Sequence, residues 1–303
     1  MNAANKIEWR RFEGDGQVTQ FMDAAVELHS AIFERLTSEE RPFFYDYWLR
    51  ILNNSAAFLA TIDNAPHALV TQPFRSGVHQ YRWLNTTLAC SDELFGELCL
   101  PEDVDQNQPF MLSTCRVGSA IPNTRAIETQ LGYVRSLREP IDELDDEKAW
   151  NLELLKEDDL EETLALMRRG YASDEEPSPD MAEQQTELRQ IVDSNAGWCW
   201  IARDAADSKI CGVVSYTAKH IPLAGVPGVL VSDLVVDPLS RRQGLSVLLQ
   251  RYAYRQLREL GLRLVFGNIE PDNKASRRQA EILERKIWYR AIVFRAIEDS
   301  ERA

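Results

Sequence analysis

The chain has 303 residues, of which 44% are hydrophobic and 27% charged, and its formal net charge is −14. That balance suits one large globular domain or two of about 150 residues each. The acidic total argues against broad nucleic-acid binding, which rests on neutralising phosphates, but it leaves room for a local basic site.

Residues 17–36 place Val18, Phe21, Met22, Ala25, Val26, Ile32, Phe33 and Leu36 at helical spacing. Thr37 to Pro42 breaks that helix, and the aromatic run Phe43 to Leu52 predicts a second, buried one. Ala57–Ile62 and His67–Phe74 flank the turn residues Asp63-Asn64-Ala65-Pro66 and read as a hairpin. Tyr81–Ala89 and Met111–Arg116 are further strand candidates. Pro122-Asn123-Thr124 predicts a capped helix, ended at Gly132 and followed by a strand. The acidic, apolar-poor run Pro140 to Lys148 reads as a linker, so the expected division is 1–140, a linker at 141–148, and 149–303.

The second half begins with a strand, Trp150–Leu155. Asp158-Asp159 then open a helix with acidic residues in its first turn, where they suit the helix dipole. The acidic loop Ser173–Asp180 precedes a helix over Met181–Val192. Gly197–Arg203 and Ile210–Ala218 form a hairpin. Val229–Val236 is nearly continuously apolar, which predicts a central strand covered on both faces. Leu245–Leu260 is an amphipathic helix stopped by Gly261, Arg263–Ile269 is a strand, Asn273 caps another helix, and Trp288–Ile297 is a final strand. The fold class expected is α/β, with a mixed sheet and helices on both faces.

The chemistry concentrates where Val229–Val236 ends at Asp237-Pro238. The turn Leu239–Gln243 feeds a helix whose first amides have no intrahelical partner, and Gly244 leaves them sterically open. The amides of Gln243, Gly244, Leu245 and Ser246 can converge on a diphosphate, with the helix dipole adding attraction. Arg241 and Arg242 can supply ionic or bidentate contacts. A solvated helix start with two surface arginines is the plainer reading of the same residues.

The five cysteines (Cys90, Cys99, Cys115, Cys199, Cys211) are odd in number and lack Cys-x-x-Cys pairs, which points to reduced thiols. The four histidines, His29, His67, His79 and His220, lack metal-ligand spacing, so no metal is expected. No stretch reads as a signal peptide or bilayer span, and a soluble cytoplasmic protein is the expectation.

Val236-Asp237-Pro238, Arg241-Arg242-Gln243-Gly244-Leu245-Ser246, and Asn273 with Ser276 three residues on follow one another in an order that resembles the GNAT acyltransferase superfamily, over roughly residues 149–298. The resemblance implies a coenzyme A diphosphate at Arg241–Ser246 and a pantetheine arm on the strand amides of Leu234, Val235 and Val236, with Asn273 contacting that arm. It implies acetyl-CoA or another acyl-CoA as co-substrate. Ser246 stands where the family prefers Gly or Ala. Ala280 stands where many members carry a tyrosine general acid, leaving Ser276, Tyr289 and Tyr252 as substitutes.

The base that acyl transfer requires points to Asp233, a carboxylate inside an apolar strand, on the face opposite Ser232 and Leu234. A structural aspartate fits equally. His220 is a lesser candidate, and Trp198 with Trp200 are either core or a substrate wall. In the first half, Asn123-Thr124-Arg125-Ala126-Ile127 and Leu131-Gly132-Tyr133 resemble the end of the same fold. The acidic stretch Asp92–Glu102 occupies the place of a phosphate loop. The expectation is therefore tandem GNAT-like domains, the first degenerate and without a cofactor loop.

The activity implied is acyl transfer from acyl-CoA to a small-molecule or peptide amine in a ternary complex, by a monomer or homodimer. The alternatives are a transferase using aminoacyl-tRNA as donor and a non-catalytic coenzyme A-binding module.

Overall fold

The computed structural model describes residues 8–54, 56–62, 65–72, 82–88, 110–114, 126–142, 149–172, 181–194 and 197–294. The acidic stretch 92–102, the cap residues 122–125, most of the linker (143–148) and the loop 173–180 lie outside the described residues.

Strand β1 (Glu8–Arg11) passes through a 3-10 turn into helices α1 (Val18–Leu28), α2 (Ser30–Phe33) and α3 (Arg41–Asn54). The helix expected over 17–36 is interrupted at His29. Its backbone leaves the helical region (φ −108°, ψ 20°), and its ring packs 4.6 Å from Trp48. Then come β2 (Ala56–Ile62), β3 (Ala65–Gln72), β4 (Arg82–Leu88), β5 (Phe110–Thr114) and β6 (Ala126–Ser136). The helix expected to run on from Pro122 is corrected over Ala126–Gln130, which are strand. These residues pair with the C-terminal strand, Thr129 opposite Ile292 and Gln130 opposite Ala291, and this long-range pairing overrides the local helix-start signal.

The second half runs β7 (Trp150–Leu154), α4 (Leu160–Ala172), α5 (Met181–Ser194), β8 (Gly197–Asp204), β9 (Ile210–His220), β10 (Pro227–Val236), α6 (Leu245–Glu259), β11 (Leu264–Ile269), α7 (Lys274–Ile282) and β12 (Lys286–Phe294). Each of these follows from the hydrophobic periodicity and capping already read from the chain. Arg203 of β8 ties the start of this half together, bonding Glu153 at 2.7 Å, Glu162 at 3.4 Å and Asp159.

All twelve strands form one sheet, in the order β1-β2-β3-β4-β5-β12-β6-β11-β10-β9-β8-β7. Followed inward from either end, the arrangement is the same. Three antiparallel pairings (β1·β2, β2·β3, β3·β4, and likewise β7·β8, β8·β9, β9·β10) precede one parallel pairing, β4·β5 or β10·β11. The sixth strand of each half then crosses over. β12 pairs with β5, β6 pairs with β11, and the two meet antiparallel at the centre. The topology thus repeats within the chain, and the halves exchange their last strands.

Alternation along the strands assigns the helices to faces. On β9, Val213 packs with α4 and α5, whereas Val214 and Tyr216 pack with α6. On β6, Val134 joins the core of α1–α3, while Leu131 and Tyr133 meet Ala280 of α7. Helices α1–α5 therefore cover one face and α6 and α7 the other. Trp200 is buried with an edge-on contact to Tyr216 at 5.6 Å, which places it in the core. The chain after β6 lies against the second half: Arg251 reaches Asp142 at 2.6 Å, and Arg255 donates to the Asp142 carbonyl at 2.8 Å.

Candidate active site

Strand β10 carries the site because two features interrupt its regularity. The first is its parallel pairing with β11, which consists of Val229 with Val265 and Leu230 with Phe266 only. Beyond Leu230 the edge of β10 that faces β11 is open, and Ala275, Ser276 and Gln279 of α7 stand across the gap. A strand edge of this kind presents backbone donors and acceptors to whatever lies along it.

The second feature is a bulge against β9. Val231 is opposite Tyr216 and Asp233 is opposite Ser215, so Ser232 is the extra residue, with none directly opposite it. The extra residue shifts the alternation. Val229, Val231, Leu234 and Val236 all pack on the α6 side, while Leu230 and Val235 pack on the other. Ser232 and Asp233 consequently share a face. Ser232 Oγ lies 3.0 Å from Thr217 Oγ1 and Asp233 contacts Ser215, two residues away on β9. The expectation that Asp233 faces opposite to Ser232 is corrected by the bulge, while its opposition to Leu234 stands.

Asp233 is half-buried and held from two sides. Ser215 Oγ accepts from the Asp233 amide at 3.1 Å and lies 3.5 Å from its carboxylate. The Tyr171 hydroxyl, from the last turn of α4, donates to Asp233 Oδ1. In register beside Ser215 on β8 is Cys199. Burial raises its thiol above the ordinary range, with the negative charges of Asp233 and Glu187 adding to the effect, so this thiol stays protonated. Tyr171 reaches Asp233 because α4 approaches β10 closely at Gly170, where a β-carbon would stand 2.2 Å from Val235 Cγ1.

The turn after β10 is fixed by Asp237. This buried carboxylate accepts from the Leu239 amide at 3.1 Å, Arg169 at 3.1 Å and Lys209 at 3.3 Å. Burial pushes its pKa up, and these three donors more than offset that, holding it below the usual carboxylate range. Gly244 is the N-cap of α6 in the left-handed region, with φ 79°, and nothing lies within 4 Å of the place a β-carbon would take there. The first helical acceptor is its carbonyl, which takes the amides of Val247 and Leu248. The amides ahead of them face an open, electropositive helix start.

These elements enclose a cleft of about 270 Å³. Its lining takes in Leu234, Val235 and Val236 from β10, Arg241, Arg242, Gly244, Leu245 and Ser246 from the turn, and Ser276 from α7. Nine of the residues singled out in the sequence are thus gathered in one place. Arg241 does so with its guanidinium committed, donating to the carbonyls of Val236 at 3.3 Å and Gly170 at 3.0 Å. It ties the end of α4 to the strand, and Arg242 stands exposed beside it. Gln243 turns its side chain back to the Leu239 carbonyl at 3.4 Å. Asn273 caps α7, accepting the Ser276 amide at 3.0 Å.

Tyr289 is not among the cleft residues. It is buried, its hydroxyl donates to Asn268 Oδ1 at 2.7 Å, and burial raises its pKa. It cannot meet a substrate without leaving the core, which corrects its candidacy as a catalytic group. Ala280 is buried against Leu131, Tyr133 and Ile269, and His220 stands exposed at the end of β9.

Sequence reasoning missed two residues. Tyr171 carries no motif and lies in the last turn of α4. Gln279 carries no motif, yet it lines the cleft with its Nε2 buried and without a partner. Among the described residues no three His, Cys, Asp or Glu side chains gather to hold a metal, and no helix is long and apolar enough to cross a membrane.

Residues 151–268 match the family model of the acetyltransferase (GNAT) domain. No curated protein matches the chain. Among solved structures, a GCN5-related N-acetyltransferase from Sphaerobacter thermophilus aligns with a TM-score of 0.54 at 12% identity, over 95% of this chain and 95% of that one. A conserved protein of unknown function from Staphylococcus epidermidis ATCC 12228 aligns with a TM-score of 0.53 at 11% identity, over 75% of this chain and 91% of that one. At such identities the likeness is one of fold.

Proposed function

From the match of residues 151–268 to the acetyltransferase (GNAT) domain model, we propose that the protein is an N-acyltransferase. It moves an acetyl or other acyl group from acyl-CoA to an amine on a small molecule or peptide. The observation that carries this reading is the open edge of β10 running straight into the helix start at Gly244. An elongated ligand with a diphosphate at one end and amides along its length matches both parts. The amides of Gly244, Leu245 and Ser246 suit the diphosphate, and the edge of Leu234–Val236 suits the arm. Gln279 Nε2, a buried donor with no partner facing the same cleft, fits an arm carbonyl.

Moving from Val236 back to Asp233 carries such an arm about 10 Å from the turn, at about 3.3 Å per residue. Its thioester end then lies near Asp233. There the Asp233 carboxylate takes a proton from the attacking amine, and Ser215 and Tyr171 hold the carboxylate in place. The attack is direct, in a ternary complex. No enzyme-bound acyl intermediate is needed, and buried, protonated Cys199 is unsuited to forming one.

We read the first half as a second copy of the same fold, supported by the repeated strand order, with the cofactor bound only by the second. The test is a thermal melt with excess coenzyme A. Binding at one hundred times Kd raises stability by about 2.7 kcal/mol, and the shift disappears in Gly244→Glu. An unchanged melting temperature in the wild type would sink the proposal.

A further inference from the structure

The mechanism leaves a proton to be placed. When the amine attacks the thioester carbonyl and the carbon–sulfur bond breaks, coenzyme A departs as a thiolate, and the proton from the amine remains on Asp233. We propose that Tyr171 donates its hydroxyl proton to that thiolate and recovers one from Asp233, so the two side chains form a closed proton circuit. This rests on the acyltransferase reading. The balance is complete: amine and acyl-CoA become amide and coenzyme A thiol, and Tyr171 and Asp233 end in the states in which they began.

Three observations point to Tyr171. Its hydroxyl already donates to Asp233 Oδ1, which is the contact that proton recovery needs. It lines the same cleft as the turn and the open strand edge. Its position is set by packing, because Gly170 seats α4 against Val235 and Arg241 holds the Gly170 carbonyl at 3.0 Å. Tyr289, by contrast, is buried on Asn268, and Asn273 caps α7. Groups close to the pair include Ser215 of β9, at 3.5 Å from the Asp233 carboxylate, and Cys199 of β8, whose thiol feels the Asp233 charge.

The test uses the full chain and two readouts. In the first, calorimetry follows the binding of coenzyme A and of desulfo-coenzyme A between pH 6 and 10. A thiol titrates near pH 8.5, and a hydroxyl directed at sulfur favours the thiolate. Wild-type affinity for coenzyme A should therefore rise about tenfold or more through that range, relative to desulfo-coenzyme A. Tyr171→Phe should abolish the rise while leaving desulfo-coenzyme A binding within about twofold.

In the second, Tyr171→Phe should lower kcat about 100-fold, the ordinary worth of a general acid, with KM for acyl-CoA little changed. Fluorotyrosine at position 171, which keeps the packing, should restore turnover and move the alkaline limb of the pH profile downward. A pH-dependent rise that persists in Tyr171→Phe, or an unmoved alkaline limb, overturns the circuit alone. Failure of the wild type to bind coenzyme A at any pH overturns the acyltransferase reading beneath it.

Discussion

Gly170 and Val235 stand so close that a β-carbon on the glycine would lie 2.2 Å from Val235 Cγ1. This contact sets the separation of α4 from the strand and so the reach of Tyr171 to Asp233. Gly170→Ala forces the helix outward, and overpacking of this kind costs about 1–3 kcal/mol. The expected result is a lower melting temperature together with loss of turnover. Retained wild-type kcat in Gly170→Ala would show that the contact does not position Tyr171.

Gly244 separates binding from stability. At φ 79° with open space around it, alanine is strained but does not clash, and the left-handed conformation costs about 1–2 kcal/mol. Gly244→Ala should melt lower and still bind coenzyme A. Gly244→Glu places a carboxylate among the amides proposed for the diphosphate and should abolish the thermal shift. Melts of both variants with and without coenzyme A decide the matter.

The exchange of β6 and β12 makes each half depend on the other. β11 pairs with β6 along its whole length, and Arg135 of β6 donates to Glu284 at 2.8 Å and to the Pro140 carbonyl at 2.6 Å. Residues 143–303 alone lack β6, leaving β11 and β12 with exposed edges, which favour association. That fragment should aggregate on size exclusion. A fragment beginning before Ala126 should recover soluble, folded material.

His29 gives the acid response a defined window. Burial lowers its pKa from 6.5 to about 4, opposed by its bond to the Ala25 carbonyl. The folded state binds the proton less tightly than the unfolded one, so stability falls as the pH drops from about 6.5 to about 4. The loss is on the order of 3 kcal/mol, from 1.36 kcal/mol per pKa unit. Asp237 behaves differently. Its pKa is depressed, so its contribution is intact above its unfolded value of 3.8 and is lost only at more acid pH. Urea melts of the wild type and His29→Gln across pH 4–7 should differ in slope, with the flatter profile in the variant.

The sequence by itself determined the turn after β10 that we propose for a diphosphate, because its chemistry is local. A strand end at Asp237-Pro238, two arginines, a glycine and a helix start lie close together along the chain. The helices and most strands were equally legible, since periodicity and caps are properties of neighbours along the chain. Only the tertiary structure decided the rest. The side of the sheet on which Asp233 lies depends on an extra residue at Ser232, visible only against β9. Tyr171 becomes part of the site through the packing of Gly170 on Val235. Tyr289 leaves it because β12 is drawn into the core between β5 and β6. The exchange of final strands joins segments far apart in the chain. Such pairings are selected by which edges meet in the folded sheet, and no local pattern of side chains encodes that.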